Sequence, residues 1–266
     1  MDGIIDFHAH AFPDNLAQRA MKALCDGAPD ATAFHNGTIG GLLKSMDAAG
    51  IERAVICNIA TRPSQFEPIL RWSGEIASKR IIPFCSIHPN DPDALAHISA
   101  IKDAGFKGIK MHAYYQDFHL DEPRMMPIYE RISREGLILV AHCGYDIAFE
   151  RFRRADPPRI RKVTETFPDL KFIAAHLGAW QQWDEVAALL AGRPIYMDLS
   201  FALECLPPDE ARAILMEHNE DYLLWGTDSP WTDQSNALRL LRNLDLPSRR
   251  LEKMLRLNGE RLLAMQ

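Results

Sequence analysis

Residues 137–142 read LILVAH, five apolar residues in a row closed by a histidine. A strand with one wet face alternates apolar and polar residues. A run without that alternation, rich in branched side chains, suits a strand buried on both faces of a helix-covered parallel sheet. Seven more runs of this kind occur on either side: 3–7 (GIIDF), 54–59 (AVICNI), 81–87 (IIPFCSI), 106–111 (FKGIKM), 171–176 (KFIAAH), 195–199 (IYMDL) and 222–227 (YLLWGT). Longer segments with helical spacing separate them. Thr38 can cap a helix that buries Ile39, Leu42, Leu43, Met46 and Ala49 and stops at Gly50. Further helices are expected at 64–79, 91–104, 123–135, 157–167, 181–191, 208–218 and 234–244. A last one at 248–257 should break at Asn258-Gly259. Pro157-Pro158 and Pro207-Pro208 suit first turns, where a proline forfeits no internal hydrogen bond.

Eight strand–helix units in 266 residues predict an α/β fold, a (β/α)8 TIM barrel, in a single domain spanning residues 1–266. A doubly wound open sheet would carry a glycine-rich phosphate loop after its first strand. Here that strand runs into HAHAFP, and neither a Walker A sequence nor a GxGxxG occurs.

Composition narrows the classes of function. With 47% hydrophobic residues and a net charge of −6, the chain is not a long disordered one. Acidic excess argues against nucleic acid as a partner. No run approaches eighteen apolar residues, so no membrane partner is expected. No signal peptide is visible at the N-terminus, and the five cysteines, an odd number without a CxxC, read as reduced thiols of a cytoplasmic protein. A small-molecule substrate is the expected partner, with a homo-oligomer left open.

In a barrel the C-terminal strand ends build the active site. The first strand ends in His8 and His10, the fourth in Lys110 and His112, the fifth in His142, the sixth in His176, and the eighth in Asp228. His8 and His10, two apart on a strand, project to the same side and can grip one metal ion. In that setting His142 reads as a further ligand, and Asp228 as both ligand and proton acceptor.

IIDFHAH, GFKGIKMH, VAHCG, AAHLG, WGTDSPW and the terminal NGERLL resemble the amidohydrolase superfamily, most of all its amidohydrolase-related branch of hydrolases and non-oxidative decarboxylases. The resemblance spans residue 4 to about 264. It implies a metal-bearing TIM barrel with His8, His10, His142 and Asp228 as ligands. It implies that His176 binds a second metal or polarises the substrate and the attacking water. Two-metal relatives often bridge their ions with a carbamylated lysine, a role that Lys110 would fill. The branch mostly uses one ion, so Lys110 is read as an internal lysine paired with an acid.

Around these, His112 could hydrogen-bond a substrate oxygen, and Arg62 could hold a carboxylate with its planar fork. Tyr114, Tyr115 and Phe118 could wall the pocket. His88, Asn58, Asp198 and Ser200 also end strands and are weaker candidates. Arg151, Arg153 and Arg154 read as a solvated face.

The expected function is a metal-dependent hydrolase that opens an ester, lactone or amide with a metal-activated water, Asp228 moving the proton and His176 stabilising the oxyanion. The expected ion is Zn²⁺, with Mn²⁺, Fe²⁺ or Ni²⁺ also suited to imidazole and carboxylate. One alternative is metal-dependent decarboxylation of an aromatic or unsaturated acid. Another is a barrel that binds a metal or ligand without catalysis.

Overall fold

The computed structural model describes residues 2–28 and 31–264. Eight strands alternate with helices in chain order. They are β1 (Ile5–Ala9), α1 (Asp14–Gly27), α2 (Ile39–Ala49), β2 (Arg53–Cys57), α3 (Phe66–Ile76), β3 (Ile81–Phe84), α4 (Ala94–Asp103), β4 (Gly108–His112), α5 (Met126–Arg134) and β5 (Ile138–His142). Then follow α6 (Pro157–Thr166), β6 (Lys171–Ala174), α7 (Trp183–Leu189), β7 (Tyr196–Asp198), α8 (Pro208–Glu217), β8 (Leu223–Leu224), α9 (Gln234–Arg242), α10 (Ser248–Glu252) and α11 (Asn258–Leu263). The chain forms two compact units, one of Met1–Ile56, Ser78–Ile82 and Asp198–Gln266, the other of Cys57–Ala77 and Pro83–Met197. No helix among the described residues is long and apolar enough to cross a membrane.

In the first unit β1 pairs in parallel with β2, Ile5 opposite Arg53 and Asp6 opposite Ala54. The other edge of β1 meets the segment after β8: Phe7 N–H donates to Trp225 O at 2.8 Å and Asp228 N–H to His8 O at 2.7 Å. Phe7 and Trp225 are each 1% exposed, and burying such a side chain contributes about 1.5–3 kcal/mol. The period of two then turns Asp6 and His8 to the face opposite Phe7. Thr38 caps α2 as expected, accepting from Gly41 N–H at 3.0 Å, and Gly50 ends it in the left-handed region.

The expected break at Asn258-Gly259 does not occur. Lys253–Leu257 form a π-helical turn and α11 continues through both residues. Gly259 serves close approach instead: a Cβ there would lie 3.2 Å from Ile5 Cδ1 and 3.4 Å from Phe7 Cδ2. Asn258 Nδ2 donates to the carbonyls of Glu220 and Leu223, both at 2.7 Å, which ties the helix to β8.

In the second unit β4, β5, β6 and β7 pair in parallel in that order. The register sets Lys110 beside Val140 and His112 beside His142. Ile109, Met111, Leu139 and Ala141, on the alternate face, are all within 1% of complete burial. The connections after β5 and β6 lie against each other at Gly144, whose φ is +86°. A Cβ there would come within 2.1 Å of Trp180 N, so only glycine fits.

Candidate metal centre

The first unit brings together three of the residues expected to hold a metal. His8 lies on β1, His10 just beyond it, and Asp228 four residues past β8. Asp228 Oδ1 is 2.9 Å from His10 Nε2 and 3.5 Å from His8 Nε2. The three ligand atoms all lie within 4.8 Å of one another. His8 is fully buried, while the His10 and Asp228 side chains are about 15% exposed, which leaves the cluster an open side.

The chemistry of this donor set fits a divalent cation. His8 Nδ1 is 2.9 Å from Asp198 Oδ2 and 3.0 Å from Ser200 Oγ. A carboxylate can only accept, so Nδ1 carries the proton and Nε2 keeps its lone pair toward Asp228. A carboxylate that fixes the tautomer of an imidazole ligand is the usual support of a metal site. Replacing Asp198 by alanine should therefore weaken metal binding about 10- to 100-fold, read by competition with a chromogenic chelator.

Sequence reasoning missed one part of this support. Asp6, two residues before His8 and on the same face, is completely buried. Its Oδ1 accepts from His8 N–H at 3.1 Å and Thr227 N–H at 3.0 Å; its Oδ2 accepts from Thr227 Oγ1 at 2.5 Å and Gln234 Nε2 at 2.7 Å. These bonds hold β1 to the segment that presents Asp228. Burial pushes the Asp6 carboxyl up to about 6, against four hydrogen bonds that pull it down. The available signal was an acid inside an otherwise apolar run.

His35, given no role from sequence, is bonded beside Asp228. Its Nε2–H donates to Ser229 Oγ at 2.9 Å, and its Nδ1 accepts from Gly37 N–H at 3.1 Å. Burial lowers its pKa to about 4 from 6.5. The unfolded chain therefore takes up this proton first as pH falls. The share of stability that rests on a neutral His35, full above pH 6.5, should drain away toward pH 4, and this pH dependence should be missing from His35→Asn. Urea unfolding across that window measures the difference.

The second unit gathers His112, His142 and His176. The β4–β5 register stacks the rings of His112 and His142 with centroids 4.0 Å apart. His142 Nε2–H donates to Tyr145 O at 2.9 Å, so its Nδ1 accepts from His176 Nε2–H, also at 2.9 Å. Burial, then its two histidine neighbours, holds His142 well below the usual imidazole range and so neutral. His176 and Asp228 both adopt left-handed backbone, with φ of +63° and +66°. Such strain in non-glycine residues concentrates at functional sites.

Asp146, which the sequence did not single out, places Oδ2 3.2 Å from His112 Nε2 and 3.7 Å from His142 Nε2. The three could chelate by distance. Stacked rings, however, send their in-plane lone pairs along parallel lines rather than to one ion. The group reads as a hydrogen-bonded cluster.

The other expected residues belong to this unit as well. Lys110 is 1% exposed on β4. Tyr114 gives its hydroxyl to main-chain carbonyls, Gly144 O at 3.2 Å and Phe152 O, and sets its ring edge-on to His142. Arg62 is exposed at the start of the connection before α3. Arg153 pairs with Glu185 and Asp156, and Arg154 with Asp117, as surface arginines do.

A family model described as amidohydrolase matches residues 5–265. The chain belongs to the amidohydrolase family. That membership makes it a metal-dependent enzyme. Among solved structures, this amidohydrolase is similar to an uncharacterised TIM-barrel protein of Bordetella bronchiseptica, at 21% identity, 98% of each chain and a TM-score of 0.80. It is also similar to 5-carboxyvanillate decarboxylase of Novosphingobium aromaticivorans, solved as the D314N mutant with manganese and 3-methoxy-4-hydroxy-5-nitrobenzoic acid (14% identity, 99% and 97% of the two chains, TM-score 0.71). A third is a candidate 2-pyrone-4,6-dicarboxylic acid hydrolase of Pseudomonas putida, at 16% identity, 99% and 98% coverage and a TM-score of 0.69. These likenesses establish the (β/α)8 TIM barrel. No curated protein matches the chain.

Proposed function

We propose that this amidohydrolase is a hydrolase of a small ester, lactone or amide, with His8, His10 and Asp228 holding a divalent cation. The observation that carries the reading is the position of Asp228 Oδ1, in reach of both imidazole Nε2 atoms. That carboxylate borders the ion and can also take a proton. A divalent ion, when bound, polarises a carbonyl and lowers the pKa of water from 15.7 to about 7. Asp228 then takes the proton of the attacking water and returns it to the leaving group. Asp198 keeps His8 in the ligating tautomer. The ion is Zn²⁺ by its taste for imidazole with carboxylate, and Mn²⁺ is supported by the decarboxylase solved with manganese.

A second reading, decarboxylation of a hydroxylated aromatic acid, is favoured by that same decarboxylase among the similar structures. One screen separates the two. Protein loaded with Zn²⁺ or Mn²⁺ is offered esters, lactones and amides with acid release as the readout, and hydroxybenzoates with CO₂ release. Hydrolysis that a chelator abolishes and metal restores is expected. CO₂ release without hydrolysis would replace the first reading by the second, and turnover of neither class would leave a binding barrel.

A further inference from the structure

Three neighbouring strand ends of the second unit carry a histidine on one face. Cys85, just past β3, bridges in parallel to Ile109 on β4. Lys110 N–H donates to Cys85 O and Ser86 Oγ–H to Lys110 O, both at 2.8 Å. Side chains alternate along extended chain, so Ser86 and His88 share the face of Lys110 and His112. Carried three residues on, the register sets His88 level with His112, which lies opposite His142. Gln116 spans the first two positions, accepting from His112 N–H and donating to Ile87 O, both at 2.8 Å. In a (β/α)8 barrel this end of the strands carries the chemistry.

The three rings are used differently. His142 Nε2–H donates to Tyr145 O at 2.9 Å, and His112 Nε2 lies 3.2 Å from Asp146 Oδ2. His88 accepts from Asn90 N–H at 3.1 Å through Nδ1, which puts its ring proton on Nε2. Arg124 Nη1 donates to Asn90 Oδ1 and so anchors the residue that orients the ring. Burial, and after it the Arg124 guanidinium, holds the His88 pKa below 6.5, so the neutral ring keeps that single proton. Nε2–H has no hydrogen-bond partner among the described residues. It is also absent from the side-chain atoms that are both unpaired and sealed from solvent. His88 is 6% exposed, and an unpaired atom that is not sealed owns part of that opening. A donor fixed in tautomer and direction before a ligand arrives loses little freedom on binding.

We propose that His88 Nε2–H receives the carbonyl oxygen of the substrate. The atom has a proton to give and no lone pair to offer. It therefore matches the acceptor that esters, lactones and amides share. His112, expected from sequence to meet a substrate oxygen, has Asp146 within reach instead. The role of His88 rests on the hydrolase reading for the term substrate.

The test uses cyclopentanone, a carbonyl acceptor with no bond to hydrolyse, and follows the histidine ring nitrogens of the Zn²⁺-loaded protein by ¹H–¹⁵N NMR. His88 should show the Nε2–H tautomer. Its signal, identified by its loss in His88→Gln, should move downfield and saturate as the ketone is added. His88→Phe should raise the Kd about 3- to 10-fold. His88→Gln, whose amide N–H can stand in for Nε2–H, should return it to within about twofold of wild type. An Nδ1–H tautomer, no ketone binding, or an Nε2–H signal that ignores bound ketone would overturn the proposal. So would a His88→Phe variant that binds as the wild type does, or a glutamine variant that restores nothing, which would make the ring structural. The wild-type titration decides even where His88→Phe does not fold. A ketone bound at His88 by an enzyme that releases acid from no ester, lactone or amide would sink the hydrolase reading and leave this contact standing.

Discussion

Replacing Asp228 by asparagine should lower kcat by about 10³-fold, within the range that positioned acid–base groups supply, and leave the melting temperature nearly unchanged. Asparagine keeps the size of the side chain and tolerates the left-handed backbone, where φ is +66°. The main-chain bond from residue 228 to His8 O, 2.7 Å in the wild type, does not involve the side chain. What asparagine cannot do is take a proton near neutral pH. Steady-state rates and a thermal melt on the same preparation decide the matter. A kcat within tenfold of wild type would remove Asp228 from the proton path.

Replacing Asp6 by alanine should have the largest effect on stability, a loss of at least about 3 kcal/mol in urea unfolding, since several buried donors lose their acceptor at once. Thr227 N–H, the Thr227 hydroxyl, Gln234 Nε2 and His8 N–H all point at this one carboxylate. Burial raises its pKa to about 6 from 3.8, so the folded chain takes up this proton before the unfolded one. The wild type's advantage over the variant should therefore grow as pH falls from 6 towards 3.8. A variant as stable as the wild type would show that β1 and the 227–234 segment are held by packing alone.

Much of this was legible in the chain because strand ends carry both the apolar run and the residue that follows it. HxH after GIIDF and TD after YLLWG gave the metal candidates and their order. The pairing of His8 with Asp198 was not legible, since 190 residues separate two groups that only the folded chain joins. Asp146 was hidden for a similar reason: it lies in a connection, where no periodicity says which way a side chain turns. Asn258-Gly259 misled because that dipeptide is a common turn signal. Here the glycine answers to the crowding of Ile5 and Phe7 against α11. Helix α1 was not expected either, although Asp14–Gly27 is rich in alanine, leucine and long straight side chains that favour helix.

Anomalous diffraction at the absorption edge of the ion that copurifies with the protein tests the central claim most directly. One peak is expected, bonded to Nε2 of His8, Nε2 of His10 and the carboxylate of Asp228. A protein that copurifies with no ion and takes none up, or a peak that none of these three side chains touches, would contradict it.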